Sequence, residues 1–215
     1  MNTGNGRFSD FEAIITSFDE VRSVIGDPPP PVVAKVIDRL DDVCRAFIAQ
    51  SPFVVIASAS AAGQLDLSPK GDPAGFVHVL DDKHLVIPDR PGNRRADTFQ
   101  NVLENPQLGL LFIIPGKPET LRVSGEARIV RDHTLRTTLT VQGRIPEFVL
   151  VMYVEQAFMH CPKCMVRSKL WQPEAWPDHT GLANISEAIV KQAKLDMTPE
   201  ELTAYVEKEG ITRLY

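Results

Sequence analysis

Apolar positions recur along this chain with two periods. Near the start, Phe11, Ile14, Ile15, Phe18 and Val21 stand at helical spacing behind a Ser9-x-x-Glu12 capping-box pattern, and Gly26 closes the stretch. A stiff run of four prolines at 28–31 follows. A second amphipathic helix is predicted over 32–48, burying Val33, Val36, Ile37, Leu40, Cys44 and Phe47. From residue 51 the pattern shortens to strands and turns. Residues 53–59 are β-rich, Ala61-Ala62-Gly63-Gln64 makes a hairpin loop, and 65–67 returns. Ser68-Pro69-Lys70-Gly71-Asp72-Pro73 reads as a break, after which 75–80 resumes as a strand and Asp81-Asp82 turns the chain.

The middle of the chain, 84–115, organises the rest. Leu85-Val86-Ile87 is a short strand closed by Pro88, and Asp89-Arg90-Pro91-Gly92 is a tight loop. Asn93 occupies an N-cap position, which places Arg94 and Arg95 in the first turn of a helix with Phe99, Val102 and Leu103 on one face. Asn105-Pro106 ends that helix, since the residue before proline avoids the α region. Residues 108–114 then read as a buried strand, Pro115-Gly116-Lys117-Pro118 as a turn, and 120–130 as an alternating strand. Asp132 caps a short helix through Leu139, and 148–159 is the last long strand. The tail is helical: Thr198-Pro199-Glu200-Glu201 combines an N-cap, a first-turn proline and a capping-box glutamate, and Gly210 stops the helix. The fold class is therefore mainly β with flanking helices (α+β), a small antiparallel barrel of six or seven strands. It divides into an N-terminal helical extension over 1–50, a barrel over 51–172 and a helical tail packed on it over 173–215.

Composition changes this picture little. A hydrophobic content of 43% and charged content of 24% describe a globular chain, and the net charge of −5 gives no general attraction to nucleic acid or anionic membrane. The longest apolar run, 148–154, is far too short to span a bilayer, and the first residues lack the basic-then-apolar pattern of a secretory signal, so a cytoplasmic protein is expected. Three cysteines, two of them in one Cys-x-x-Cys, suggest no disulfide framework.

Candidate chemistry begins with Arg94 and Arg95. Helix N-termini favour acids, so a cation pair there is either an anion site for a group such as phosphate or a solvated pair on a surface turn. Lys70 in its Pro-Lys-Gly-Asp segment is either a fixed cation at a ligand or a solvated lysine. His160, Cys161 and Cys164 invite a zinc reading, but a closed structural site needs a fourth ligand and no second pair is visible, so no metal site is assigned. A redox dithiol would want a thioredoxin-like strand-to-helix context, which is missing. Trp171 and Trp176 are either an aromatic wall for a ligand or packing of the tail. The Ser124-Gly125 pair suits close backbone approach better than a nucleophile.

The order of these pieces resembles the pyridoxamine 5′-phosphate oxidase superfamily of FMN-binding split barrels. The resemblance rests on the Leu67-Ser68-Pro69-Lys70-Gly71-Asp72 segment, the paired Arg94-Arg95, the Asn105-Pro106 step before a buried strand, and Val123-Ser124-Gly125-Glu126-Ala127, and covers about 50–170. It implies that Arg94 and Arg95 hold the FMN phosphate, and that the backbone of Leu67, Ser68, Pro69 and Lys70 and of Ile87 and Pro88 lies along the flavin. Asn93 and Arg122 join that cofactor-binding set. It also implies a homodimer with FMN at the interface, Arg167 and Trp171 reaching the partner's flavin. Two departures, Leu65 where family oxidases carry an arginine and a C-terminal Arg213-Leu214-Tyr215 without their histidine, point away from vitamin B6 chemistry while keeping the flavin. The implied activity is an FMN-dependent oxidoreductase that moves hydride or electrons to or from a small substrate, with NADH or NADPH as candidate donor and no assignable protein acid or base. The alternatives are a flavin-binding sensor without turnover and a zinc or dithiol protein using Cys161 and Cys164.

Overall fold

Alternating burial makes the strands. The structure, a computed structural model, describes residues 5–215. Strands β1 (Phe53–Ala59), β2 (Leu65–Gly71), β3 (His78–Val79), β4 (His84–Pro88), β5 (Gln107–Ile113), β6 (Thr120–Val130) and β7 (Val149–His160) form one antiparallel sheet in the order β2-β1-β5-β6-β7-β4-β3. The sheet is not closed, and β2 and β3 are its edges. One face of each long strand supplies a continuous core in which Val54, Ile56, Leu85, Phe112, Leu121 and Met152 are fully buried. Each such side chain contributes about 1.5–3 kcal/mol of transfer free energy. Opposite Ser124 and Gly125 of β6 the register shifts by one residue, which leaves Glu155 unpaired as a bulge in β7. A Cβ on Gly125 would sit 2.0 Å from the Tyr153 carbonyl oxygen, so only glycine permits this approach.

The segments Met1–Val36 and Ile37–Tyr215 are two compact units. The first holds helices α1 (Phe18–Ile25) and α2 (Pro30–Ala34); the second holds the sheet and α3 (Asp42–Gln50), α4 (Asp97–Glu104), α5 (His133–Thr138), α6 (Lys163–Ser168), α7 (Ile185–Ala193) and α8 (Pro199–Lys208). Among the described residues, no helix is long and apolar enough to cross a membrane.

Several helix expectations are corrected. The first helix starts at Phe18, capped by Ser17, whereas the Ser9 hydroxyl bonds Gly6 and Asp10, so the Ser9–Glu12 box does not form. The single helix expected over 32–48 is two, with Asp41 capping α3. Between them Ile37 exchanges backbone hydrogen bonds with Ala157, and the Leu40 amide donates to Asp82, so this backbone is spent on tertiary pairing. Val33 is exposed, while Leu40, Cys44 and Phe47 are buried as expected. The Ser68–Gly71 stretch is not a break: it continues β2, with Pro69 opposite Val55 and Lys70 opposite Val54. A proline is tolerated there because β2 is an edge. The strand expected over 75–80 is only His78–Val79. By contrast, β6 spans the predicted 120–130, Asp132 caps α5, and Thr198 and Glu201 form the capping box of α8.

Candidate functional site

Alternation along β2 turns Asp66, Ser68 and Lys70 inward and leaves Leu65, Leu67 and Pro69 outward. β4 ends at Pro88, where the chain leaves the sheet and runs through 89–96 before α4 begins. β2 and β4 are not neighbours in the sheet, yet both line one cavity of about 470 Å³. The sheet therefore curls until these strands face one another across its open side, and loop 89–96 with the start of α4 walls the gap. Ile56, Ile87 and Leu150 give the cavity an apolar floor, Phe99 adds an aromatic side, and Lys70, Arg94 and Arg95 bring cations.

Leu67, Ser68, Pro69, Lys70, Ile87, Pro88, Asn93, Arg94 and Arg95 all line this cavity. Arg122, Arg167 and Trp171 do not. The Arg122 guanidinium lies 5.8 Å from the Phe158 ring centre, and the Trp171 indole N–H donates to the Lys117 carbonyl at 2.9 Å. Arg167 lies in α6, which ends at Ser168, and Trp171 follows beyond its end.

The arginine pair sits differently from expectation. Helix α4 begins at Asp97, and its N-cap is Ala96 in the left-handed region (φ 59°) with no side-chain cap. Asn93 instead accepts a hydrogen bond from the Arg95 amide at 3.0 Å, an Asx turn that competes with capping. Arg94 is also left-handed (φ 62°), so both arginines precede the helix rather than fill its first turn. Val102 is buried and Phe99 packs against the core as expected, but Leu103 is 79% exposed, and α4 also buries Thr98 and Asn101. Thr98 donates to Asp66 and Asn101 to Ser58, so polar contacts fix the helix rotation. The Arg94 guanidinium donates to the Glu209 carbonyl at 3.0 Å, beside the C-terminus of α8. Arg95, with its side chain 71% exposed, pairs with Asp97 at 2.7 Å.

Sequence reasoning missed the acidic members and the anchor. Asp66, Asp89 and Asp97 also line the cavity. Burial raises the Asp89 carboxyl above its ordinary range, with Lys70 and Arg90 pulling the other way. Arg90 bonds the fully buried Asp72 carboxylate at 2.6 Å and the Leu139 carbonyl at 3.0 Å, and the Tyr215 hydroxyl donates to the same Asp72. The aspartate holds the tyrosine hydroxyl in its protonated form and raises its pKa. No local pattern announces a contact spanning 143 positions.

Cys44 is buried, while Cys161 and Cys164 are exposed. Among the described residues, no group of three or more His, Cys, Asp or Glu could hold a metal ion.

The family model for pyridoxamine 5′-phosphate oxidase matches residues 40–161, more than half of the chain. The chain belongs to that family. Its sheet and flanking helices are those of the family's split barrel. Among solved structures the chain is similar to HupZ from Group A Streptococcus, at 20% identity over 55% of this chain and 92% of that one, with a TM-score of 0.46. It is also similar to a NimC/NimA family protein from Clostridium acetobutylicum, at 14% identity over 56% of this chain and 87% of that one, with a TM-score of 0.42. HutZ, the heme storage protein from Vibrio cholerae, is similar at 14% identity over 57% of this chain and 94% of that one, with a TM-score of 0.39. No curated protein matches the chain.

Proposed function

We propose that this family member is a cytoplasmic, homodimeric FMN-dependent oxidoreductase whose cofactor occupies the cavity between β2 and loop 89–96. One observation carries the reading. Nine residues that the family resemblance assigns to the cofactor, drawn from three separate stretches of sequence, line a single cavity. Its size falls in the range that holds small organic cofactors. The donor set fits the group: cationic side chains suit a phosphate, the Ser68 and Thr98 hydroxyls suit polar edges, and Ile56, Ile87 and Leu150 suit a flat apolar face.

Bound flavin would supply the hydride and electron transfer itself. The protein's residues bind, orient and exclude water. Arg95 and Arg94 would hold the phosphate, Arg95 in place of its Asp97 partner and Arg94 in place of or alongside the Glu209 carbonyl. Lys70, on a hydrogen-bonded strand, would hold a positive charge beside the bound ring. Arg167 and Trp171, outside the cavity of their own protomer, are assigned to the partner's cofactor. The substrate is a small molecule and NADH or NADPH the electron donor.

Titration of the purified full-length chain with FMN, flavin adenine dinucleotide and a deazaflavin tests the reading. Tight FMN binding, bleaching of the yellow colour by NADH or NADPH and reoxidation in air are expected. A colourless protein that binds none of the three sinks it, and binding without bleaching by any donor would favour a sensor.

A further inference from the structure

The two exposed cysteines lie where a strand hands over to a helix. Strand β7 runs to His160, which pairs with Thr120 of β6, and α6 begins at Lys163. Cys161 therefore follows the strand directly, and Cys164 is the second residue of the helix. The strand-to-helix step that is not visible in the sequence is present in the fold.

The backbone on both sides of the pair is held. Pro162 lies in the right-handed helical region (φ −76°, ψ −6°), and its carbonyl accepts from the Val166 amide at 3.0 Å. Its ring fixes φ. Lys163 is helical as well. Two successive helical residues leave the Cα atoms on either side of them about 5 Å apart. That separation falls inside the ~4.4–6.8 Å that a disulfide spans. Positions three apart also share one side of a helical turn. Joining the two sulfurs asks for side-chain rotation and little of the backbone.

The surroundings favour redox use over metal binding. A closed structural zinc site takes four ligands, and among the described residues no group of three or more candidate ligands exists, so the pair is not part of such a set. Both thiols are exposed and free, whereas Cys44 is buried. Residues 160–172 include Lys163, Arg167 and Lys169 and no acid, and Glu119, just ahead of β6, is paired with Lys117 at 3.1 Å. An anionic reagent is drawn to such a surface.

We propose that Cys161 and Cys164 form a reversible redox dithiol, oxidised by an anionic low-molecular-weight disulfide. One cysteine thiolate attacks a sulfur of that disulfide, which forms a mixed disulfide and releases one small thiolate. The second cysteine thiolate then attacks the protein sulfur of the mixed disulfide, which closes the Cys161–Cys164 bond and releases the other small thiolate. The two cysteine protons end on the two released thiols; the pair gives up two electrons and the reagent takes them. The new bond ties the end of β7 to the first turn of α6. None of this depends on the flavin reading.

The test is incubation of the reduced full-length chain with oxidised glutathione, followed by mass spectrometry. Wild type should lose two hydrogens per chain, keep no glutathione and retain Cys44 as a thiol. Trypsin cuts after Lys163, so the peptides 145–163 and 164–167 should stay joined until a reductant is added. Excess reduced glutathione should restore both thiols. Cys161→Ser and Cys164→Ser should each retain one glutathione on the remaining cysteine, because no second thiol displaces it. Wild type that keeps glutathione, a disulfide that includes Cys44 or joins two chains, or an unchanged mass in oxidised glutathione would overturn the proposal.

Discussion

The two halves of loop 89–96 handle arginine in opposite ways. In the first half, Arg90 is mostly buried, with its guanidinium divided between a carboxylate at zero exposure and a backbone carbonyl. In the second half, Arg94 and Arg95 reach an exposed carbonyl and an exposed carboxylate, contacts of the kind water replaces at little cost. A buried charge stripped of its partner loses several kcal/mol, whereas an exposed one loses almost nothing. The first arginine therefore fixes where the loop lies, and the other two stay available for a ligand. Identical side chains four and five positions apart thus differ in commitment: the buried one is tied into the fold, and the exposed pair is not.

This contrast breaks most visibly at Asp72. Replacing Asp72 with Ala should destabilise the fold by about 3–5 kcal/mol, because Arg90 is left buried without its carboxylate. Chemical denaturation measures it, and a change under about 1 kcal/mol would erase the distinction between the halves. The Arg94→Ala/Arg95→Ala double variant should do the reverse. It should cost about 3 kcal/mol or more of FMN affinity at ~1.5–3 per charged hydrogen bond, while the ligand-free unfolding midpoint stays put. A smaller effect is expected at Asp89. Its raised pKa means that the folded state holds its proton more tightly than the unfolded one, so this group favours folding at low pH and the benefit fades as pH rises through the carboxylate range toward the folded pKa. Asp89→Asn should therefore gain stability over wild type at neutral pH and lose that gain in acid, measured as melting temperature against pH. The smallest effect is chemical. Burial and the neighbouring Asp41 push the Cys44 thiol up to about 12, so a thiol reagent should label Cys161 and Cys164 and spare Cys44 in the folded protein.

The sequence discloses the sheet better than the loop that matters. Strand β6 and the ends of β4 follow from alternation and from Pro88, and α8 follows from Thr198, Pro199 and Glu201, because each signal is local and has one structural meaning. Asn93 carries two meanings. The same side-chain oxygen caps a helix or closes an Asx turn, and only the surrounding packing chose the turn and delayed α4 until Asp97. Lys70 shows the same ambiguity: its Ser-Pro-Lys-Gly neighbourhood reads as a break, and pairing with Val54 makes it strand. The anchor was beyond local reading altogether, since Asp72, Arg90 and Tyr215 meet only after the chain has folded across itself. Nine of the twelve residues that the resemblance assigns to a cofactor line one cavity, and they come from three stretches that had to be read together.

Pro69 has a further effect on the outer rim. Within β2 it sits in a strand hydrogen-bonded on one side only, and its ring nitrogen has no hydrogen to offer. A foreign extended peptide approaching this border finds a gap in the row of donors it would need. The rim therefore resists edge-to-edge aggregation while keeping the inward-facing residues in register.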